Sequence, residues 1–193
     1  MDDLKKLLHK ECLYRMNDRT MDAFLAPMTE IELKNNEHLI RYGKFDDNVY
    51  VVREGILRFA YFDGLKEMTF GFSTPGTVII QYHSFYRREP SFFQIESCGK
   101  STIMKMSRAD YDKLSASSED FKNWILCLQS AQLWLYERKL AVMNGTARER
   151  FDALVRHRPE ILEKVSMKVI ASYIGITPSS LSRLKRETKK EGK

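Results

Sequence analysis

The chain is poor in the residues from which disulfide scaffolds, metal centres and membrane spans are built. Its 193 residues hold three cysteines and four histidines. Cys12, Cys98 and Cys127 lie far apart in no metal-ligand spacing. A disulfide framework is therefore not expected, nor an iron–sulfur cluster, which generally needs four thiolates. The cysteines read as reduced, small apolar fillers. His38 and His83 stand alone in their segments. A metal-dependent jelly-roll enzyme would need clustered histidines with a carboxylate. As axial haem ligands the two are outweighed by ordinary surface or hydrogen-bonded histidines. A nucleophile elbow, a phosphate loop and an HExxH motif are all lacking. No enzyme activity and no cofactor are expected. No run of about 18 apolar residues occurs. Met1-Asp-Asp-Leu-Lys-Lys opens no signal-peptide pattern. A cytoplasmic protein without membrane contact is expected.

What is present is an ordinary apolar fraction, 43%, sufficient for a real core, and an uneven charge. Residues 147–193 hold 12 Lys/Arg against 6 Asp/Glu, whereas residues 1–146 hold 20 of each. The net +6 therefore sits in the last quarter of the chain. A localised positive surface attracts phosphates by Coulomb force and counterion release. The terminal Lys189–Lys193 segment alone would read as a solvated tail.

An α+β organisation follows from the periodicity. Leu4, Leu7 and Leu8, then Met21, Phe24 and Leu25, recur at helical steps up to Pro27. Residues 29–107 read as β structure. Val49–Val52, Ile56–Phe62, Met68–Phe72, Gln94–Cys98 and Thr102–Met106 are β-rich runs, with turns at Asp63-Gly64 and Thr74-Pro-Gly76. Regular short strands point to a sandwich or jelly roll. A short helix is expected over Arg108–Leu114, then an N-cap in Ser115–Ser118 and a long helix to about residue 143. In the long helix Phe121, Leu128, Leu135 and Val142 repeat every seven residues, and so do Leu126, Leu133 and Leu140. A helix with two apolar faces must bury both, one on its own domain and one on a partner, or both inside one chain. We assign the set Phe121, Leu128, Leu135 and Val142 to a dimer seam. Asn144-Gly145 marks a break. The expected units are 1–114, 115–144 and 145–193.

The sharpest signal lies in Ser166–Thr188. Ser166 caps a helix whose face carries Ile170, Ala171 and Ile174, with Val165 and Ile170 as a hydrophobic staple. Gly175 falls where the chain must turn with positive φ. Thr177 caps a second helix with Pro178 in its first position, and Leu181 and Leu184 turn inward. A small residue, a glycine four positions on and an apolar residue six beyond that give the helix-turn-helix pattern: Ala171, Gly175 and Leu181. On the outer face Ser179, Arg183 and Arg186 are placed to read base edges, with Lys190 further along. Lys168, Thr177, Ser180 and Lys185 are placed for phosphates. The partner is then double-stranded DNA. A partner-binding protein whose helix-turn-helix no longer binds DNA is the alternative.

With β-roll, long helix and terminal helix-turn-helix in that order, the chain resembles the cyclic-AMP receptor/FNR (Crp/Fnr) family of bacterial regulators. The resemblance rests on Lys168–Lys185, on Val49–Arg58 and on Gly43, Gly55 and Gly76. It implies a cyclic-nucleotide-binding-like roll, a cytoplasmic homodimer on a two-fold operator, an unidentified small-molecule effector in the roll, and RNA polymerase as a further partner. Arg183 matches the family's base-reading arginine, and Ser179 stands where many members carry a glutamate. Two departures follow. The stretch Gly76–Phe93 lacks the Gly-Glu pair of nucleotide binders, and Pro90-Ser91-Phe92-Phe93 stands where their arginine pair would be. Arg87 and Arg88 fall on an expected loop, so tight cyclic-AMP binding is not expected. Phe85, Tyr86, Phe92 and Phe93 either pack in the core or fill the nucleotide space. Too few residues follow Thr188 for a β-wing.

Overall fold

The computed structural model describes residues 2–143 and 145–191, and the side chains of all of these but 2, 138, 141–143 and 189–191. Eight strands build the middle of the chain: β1 (Thr29–Leu33), β2 (His38–Ile40), β3 (Val49–Glu54), β4 (Leu57–Phe62), β5 (Glu67–Ser73), β6 (Val78–Ile80), β7 (Gln94–Ser97) and β8 (Ser101–Met106). They pair in two antiparallel four-stranded sheets, β1-β8-β3-β6 and β2-β7-β4-β5. The sheets close over Leu33, Ile40, Tyr50, Val52, Leu57, Ile79, Ile95 and Ile103, the interior of a β-roll.

The run Val49–Val52 does not alternate because both faces of β3 are buried. Tyr50 and Val52 point into the roll. Val49 and Val51 join Met104 and Met106 beneath the helices that cover the outer side of the first sheet. Those helices are α1 (Asp2–Leu8), α2 (Asp18–Leu25), α4 (Arg108–Ser117) and α5 (Glu119–Met143). Asn17 caps α2 by accepting from Thr20 N at 2.9 Å, and Met21, Phe24 and Leu25 are buried. Leu7 of α1 leaves no space at the Thr74-Pro-Gly76 turn. A Cβ on Gly76 would come 2.8 Å from Leu7 Cβ, and Gly76 has φ +97°. Glycine is required there for both reasons.

Several elements differ from expectation. The strands β1, β2 and β6 were not singled out; β2 and β6 have three residues each, too few to show a period. A helix, α3 (Tyr82–Arg87), stands where a loop was expected. Gln81 caps it by accepting from Ser84 N at 2.6 Å, and Arg88 ends it with φ 59°. α4 runs three residues past Leu114, and Ser118 alone caps α5.

The dimer-seam assignment requires a correction. Phe121 and Leu128 are buried in the core of their own chain, beside Trp124 and Ile125. Phe24 packs on Phe121 and Trp124 at 5.4 and 5.2 Å. They cannot also meet a partner. Leu135 is 53% exposed, and the side chain of Val142 lies outside those described, as does Asn144. The second heptad set is the free one, with Leu126, Leu133 and Leu140 at 63–64% exposure. Both sets are apolar at the same spacing, so only packing on the sheet fixes which one faces inward.

The C-terminal helices are α6 (Ala147–His157), α7 (Pro159–Lys164), α8 (Met167–Ile174) and α9 (Pro178–Glu191). Their core is Phe151, Leu154, Ile161, Val165, Ile170, Ala171, Ile174 and Leu181. Ile56 of the roll joins it, with Phe72 and Cys98 packed against it. The helical unit therefore rests on the outer face of β2-β7-β4-β5.

Candidate nucleic-acid interface

The helix-turn-helix forms as its local signals dictate. Ser166 accepts from Val169 N at 3.4 Å at the start of α8. Ile170, Ala171 and Ile174 turn inward, each 0–1% exposed. Gly175 takes φ +80°, and its N–H closes on the carbonyls of Ala171 and Ser172. A Cβ there would have only Arg150 Nη2 near, at 3.7 Å, so the glycine is needed for φ rather than for space. Thr177 Oγ1 accepts from Ser180 N at 3.2 Å to cap α9. Leu181 is fully buried and Leu184 packs beside it.

This packing leaves the other face of α9 in solvent. Ser179, Arg183 and Arg186 are exposed at steps of four and three residues, one face of a helix. Ser180 and Lys185 are half-buried on its flanks, with Lys185 Nζ 3.7 Å from Met167 Sδ. Thr177 and Lys168 are exposed, at the start of α9 and in the first turn of α8. Thr177 Oγ1 also bonds the hydroxyls of Ser179 (2.9 Å) and Ser180 (3.0 Å). The side chain of Lys190 is outside those described.

Sequence reasoning missed how the helical unit is held. β5 is an edge strand with an open row of backbone groups. Ser172 of α8 fills part of it: its hydroxyl accepts from Thr69 N at 2.9 Å and donates to Glu67 O at 3.3 Å. Tyr173 packs on Phe72 at 5.1 Å. Arg158, between α6 and α7, donates to Thr74 Oγ1 at 3.1 Å. Arg150 donates to Ile174 O at 2.8 Å and Gly145 O at 2.6 Å, joining α6 to the end of α8. Beneath this contact Arg58 is buried and paired with Glu96 at 2.6 Å, with Glu67, and with Thr69 Oγ1 at 3.1 Å. His38 reaches Glu96 at 3.4 Å, and His83 reaches Glu89 at 3.0 Å.

α5 meets the same joint through Lys139, whose ammonium lies over the rings of Phe70 (5.0 Å) and Tyr173 (5.7 Å). Burial pushes this lysine down to about 8. An unfolded chain keeps the proton to about pH 10.4. Between these values the unfolded state binds more protons, so the stability traceable to Lys139 rises with pH across that window. Below about pH 8 the buried charge is carried in full. Lys139→Met is therefore expected to be more heat-stable than the parent at pH 7, by a margin that shrinks toward pH 10. Thermal unfolding at both pH values checks this, and an equal margin at both would overturn it.

The segment around α3 is satisfied from within. Buried Gln81 donates from Nε2 to Ser91 Oγ at 2.8 Å, and Ser91 Oγ donates to Phe93 O at 2.6 Å. Ser84 Oγ donates to Glu89 O at 2.8 Å. Arg87 is exposed, and Arg88 pairs with Asp47 at 2.5 Å over the Phe45 ring. Phe85 is buried in the helix-covered core, Tyr86 and Phe92 are exposed, and only Phe93 packs against the roll interior, near Phe59 and Phe70.

Residues 30–118 match the cyclic nucleotide-binding domain family. No curated protein matches the chain significantly. Among solved structures, FixK2 from Bradyrhizobium japonicum aligns over 86% of this chain and 86% of its own, with 18% identity and a TM-score of 0.67. The catabolite activator protein of Thermus thermophilus aligns over 96% and 88%, at 15% identity and a TM-score of 0.59. The c-di-GMP responsive global regulator CLP, which links cell-cell signalling to virulence gene expression in Xanthomonas campestris, aligns over 91% and 93%, at 14% identity and a TM-score of 0.64. The chain therefore has the fold of these proteins, a β-roll of the cyclic nucleotide-binding type followed by a long helix and a C-terminal helical unit.

Proposed function

We propose that the chain is a cytoplasmic, sequence-specific DNA-binding transcription regulator of the Crp/Fnr type. It acts as a homodimer on double-stranded DNA and does not respond to cyclic AMP. The observation that carries this reading is the exposed face of α9, set on a buried helix-turn-helix wedge in the last quarter of the chain, whose charge balance of +6 equals that of the whole chain. Ser179, Arg183 and Arg186 read base edges in the major groove. Lys168, Ser180 and Lys185 hold phosphates on either side, and Thr177 acts at the start of α9, where free amides suit a phosphate. The solved structures of an activator protein and a global regulator with this fold support the same role. RNA polymerase is the further partner of such a regulator. An effector in the roll would act only by binding one spacing of the two recognition helices better than another.

Fluorescence anisotropy with random-sequence duplexes at two salt concentrations tests the reading. Binding should weaken by about 10³-fold or more between 50 and 200 mM salt if six or more phosphates are neutralised. No binding at low salt by a folded dimer, with or without cell extract supplying effectors, would overturn it.

The cyclic-AMP part rests on the segment around α3. A cyclic phosphate needs a buried cation and free donors. Here Gln81 and Ser91 are spent on one another, and Arg87 and Arg88 face solvent and Asp47. Titration calorimetry with cyclic AMP is expected to show no binding at micromolar concentration; micromolar affinity would refute this part alone.

A further inference from the structure

Two cysteines 115 positions apart in sequence meet in the fold. Cys12 lies in the turn between α1 and α2, buried against the core. Cys127 lies on α5, partly buried and packed against the same core. Tyr14 touches both: Cys12 Sγ is 3.6 Å from Tyr14 O, and Tyr14 N donates to Cys127 Sγ at 3.3 Å. Both thiols are thus held on the backbone of one residue, and Cys12 Sγ also lies 3.9 Å from Trp124 O of α5. Asp120 of α5 straps the same segment, accepting from Tyr14 OH at 2.8 Å and from Asn17 Nδ2 at 2.7 Å. The remaining cysteine, Cys98, sits apart, at the contact between roll and helical unit.

We propose that Cys12 and Cys127 form a reversible dithiol–disulfide site, oxidised by hydroperoxides, whose closure pins the N-terminal segment to α5. Cys127 takes the first step because it is the more exposed of the two. Its sulfur attacks the terminal peroxide oxygen, the O–O bond breaks, and the other oxygen departs as water from hydrogen peroxide or as the alcohol from an organic hydroperoxide, giving a sulfenic acid. The Cys12 sulfur then attacks the Cys127 sulfur, the S–O bond breaks and water leaves. Each thiol proton leaves on a departing oxygen, and the two thiols supply the two electrons that reduce the peroxide. Burial and the neighbouring thiol push Cys12 up to about 12, so it keeps its proton until the sulfenic acid forms beside it. Proximity then drives closure. The sulfurs must close to about 2.05 Å, and the shift falls to Cys12, which lies between helices whereas Cys127 is fixed on α5.

The segment reaches the helical unit as well. The carboxyl of Glu11, next to Cys12, lies close enough to Arg158 to be influenced by its charge, and Arg158 joins α6 and α7. The effect on DNA rests on the function proposed above; formation of the bond does not.

The test treats the full chain with hydrogen peroxide and maps unreduced peptides by mass spectrometry. The expected result is one cross-linked Cys12–Cys127 peptide that has lost two hydrogen atoms. Free thiols should fall from three to one. The melting temperature should rise by about 5–10 °C, a long loop having been closed, and dithiothreitol should reverse it. Cys98→Ser should behave as the parent, and Cys12→Ser and Cys127→Ser should lose the shift. A folded chain that keeps three thiols, that carries Cys127 as sulfinic acid without a cross-link, or that links two chains would overturn the site. DNA affinity is then compared in the two states. A change of fivefold or more supports regulation, equal affinity removes it, and no DNA binding in either state sinks the DNA-binding reading while the disulfide stands.

Discussion

Arg183→Ala is expected to weaken binding to a selected operator by about 10–100-fold, or 1–3 kcal/mol, and binding to random duplex far less. The guanidinium is exposed in the second turn of α9, and among the described residues it makes no hydrogen bond or ion pair. Its removal should therefore leave stability within about 0.5 kcal/mol. Two parallel hydrogen bonds to guanine O6 and N7 would supply the lost affinity. Arg183→Lys separates base reading from charge, because lysine keeps the charge and loses the fork. It should retain the affinity for random DNA and lose most of the operator preference. If Arg183 instead holds a phosphate, the alanine variant will weaken all sequences equally and the salt slope will fall by about one. Titrations of operator and random duplex at matched salt decide between these. Leu181→Ala is the contrasting change: the residue is fully buried, so about 2–5 kcal/mol of stability goes instead of selectivity.

The parts of the molecule that sequence made legible are those set by local rules. Ser166, Gly175, Thr177 and Pro178 each act within four residues of themselves, and the helix-turn-helix forms where they predict. β3, β4, β5, β7 and β8 are long enough to show their composition, and all fall within or close to their expected runs. What was hidden depends on distant partners. The phase of α5 follows from the face that the first sheet and α2 occupy. Arg58 is a strand arginine until antiparallel pairing sets it opposite Glu96. The Cys12–Cys127 pair exists only because α5 returns to the N-terminal segment. α3 carries three aromatics in six residues with polar neighbours, a composition that suits a loop as well as a helix. Its cap, Gln81, is not among the favoured capping residues.

Leu133→Glu is expected to convert a dimer into a folded monomer and to reduce operator affinity by about 10²–10⁴-fold. Leu126, Leu133 and Leu140 stand seven residues apart on one side of α5, more than half exposed. Strict seven-residue spacing keeps a seam facing a partner helix. Each leucine fully buried contributes about 1.5–3 kcal/mol, and a two-fold pair of α5 helices brings six together. Association itself costs about 4–15 kcal/mol, so the seam holds by a narrow margin that a single change can exceed. A glutamate in each chain removes two of the six leucines and sets like charges across the seam. DNA affinity falls more steeply than dimer affinity alone, because the second half-site is then no longer held at high local concentration. Sedimentation should show the monomer, and circular dichroism an unchanged helix content, since Leu133 belongs to none of the buried cores. Leu128→Glu should behave differently and unfold the chain, because Leu128 is 1% exposed on the inner face of α5. If Leu133→Glu stays dimeric and Leu135→Glu does not, the interface runs along the flank of Leu135 and the seam must be rotated toward it.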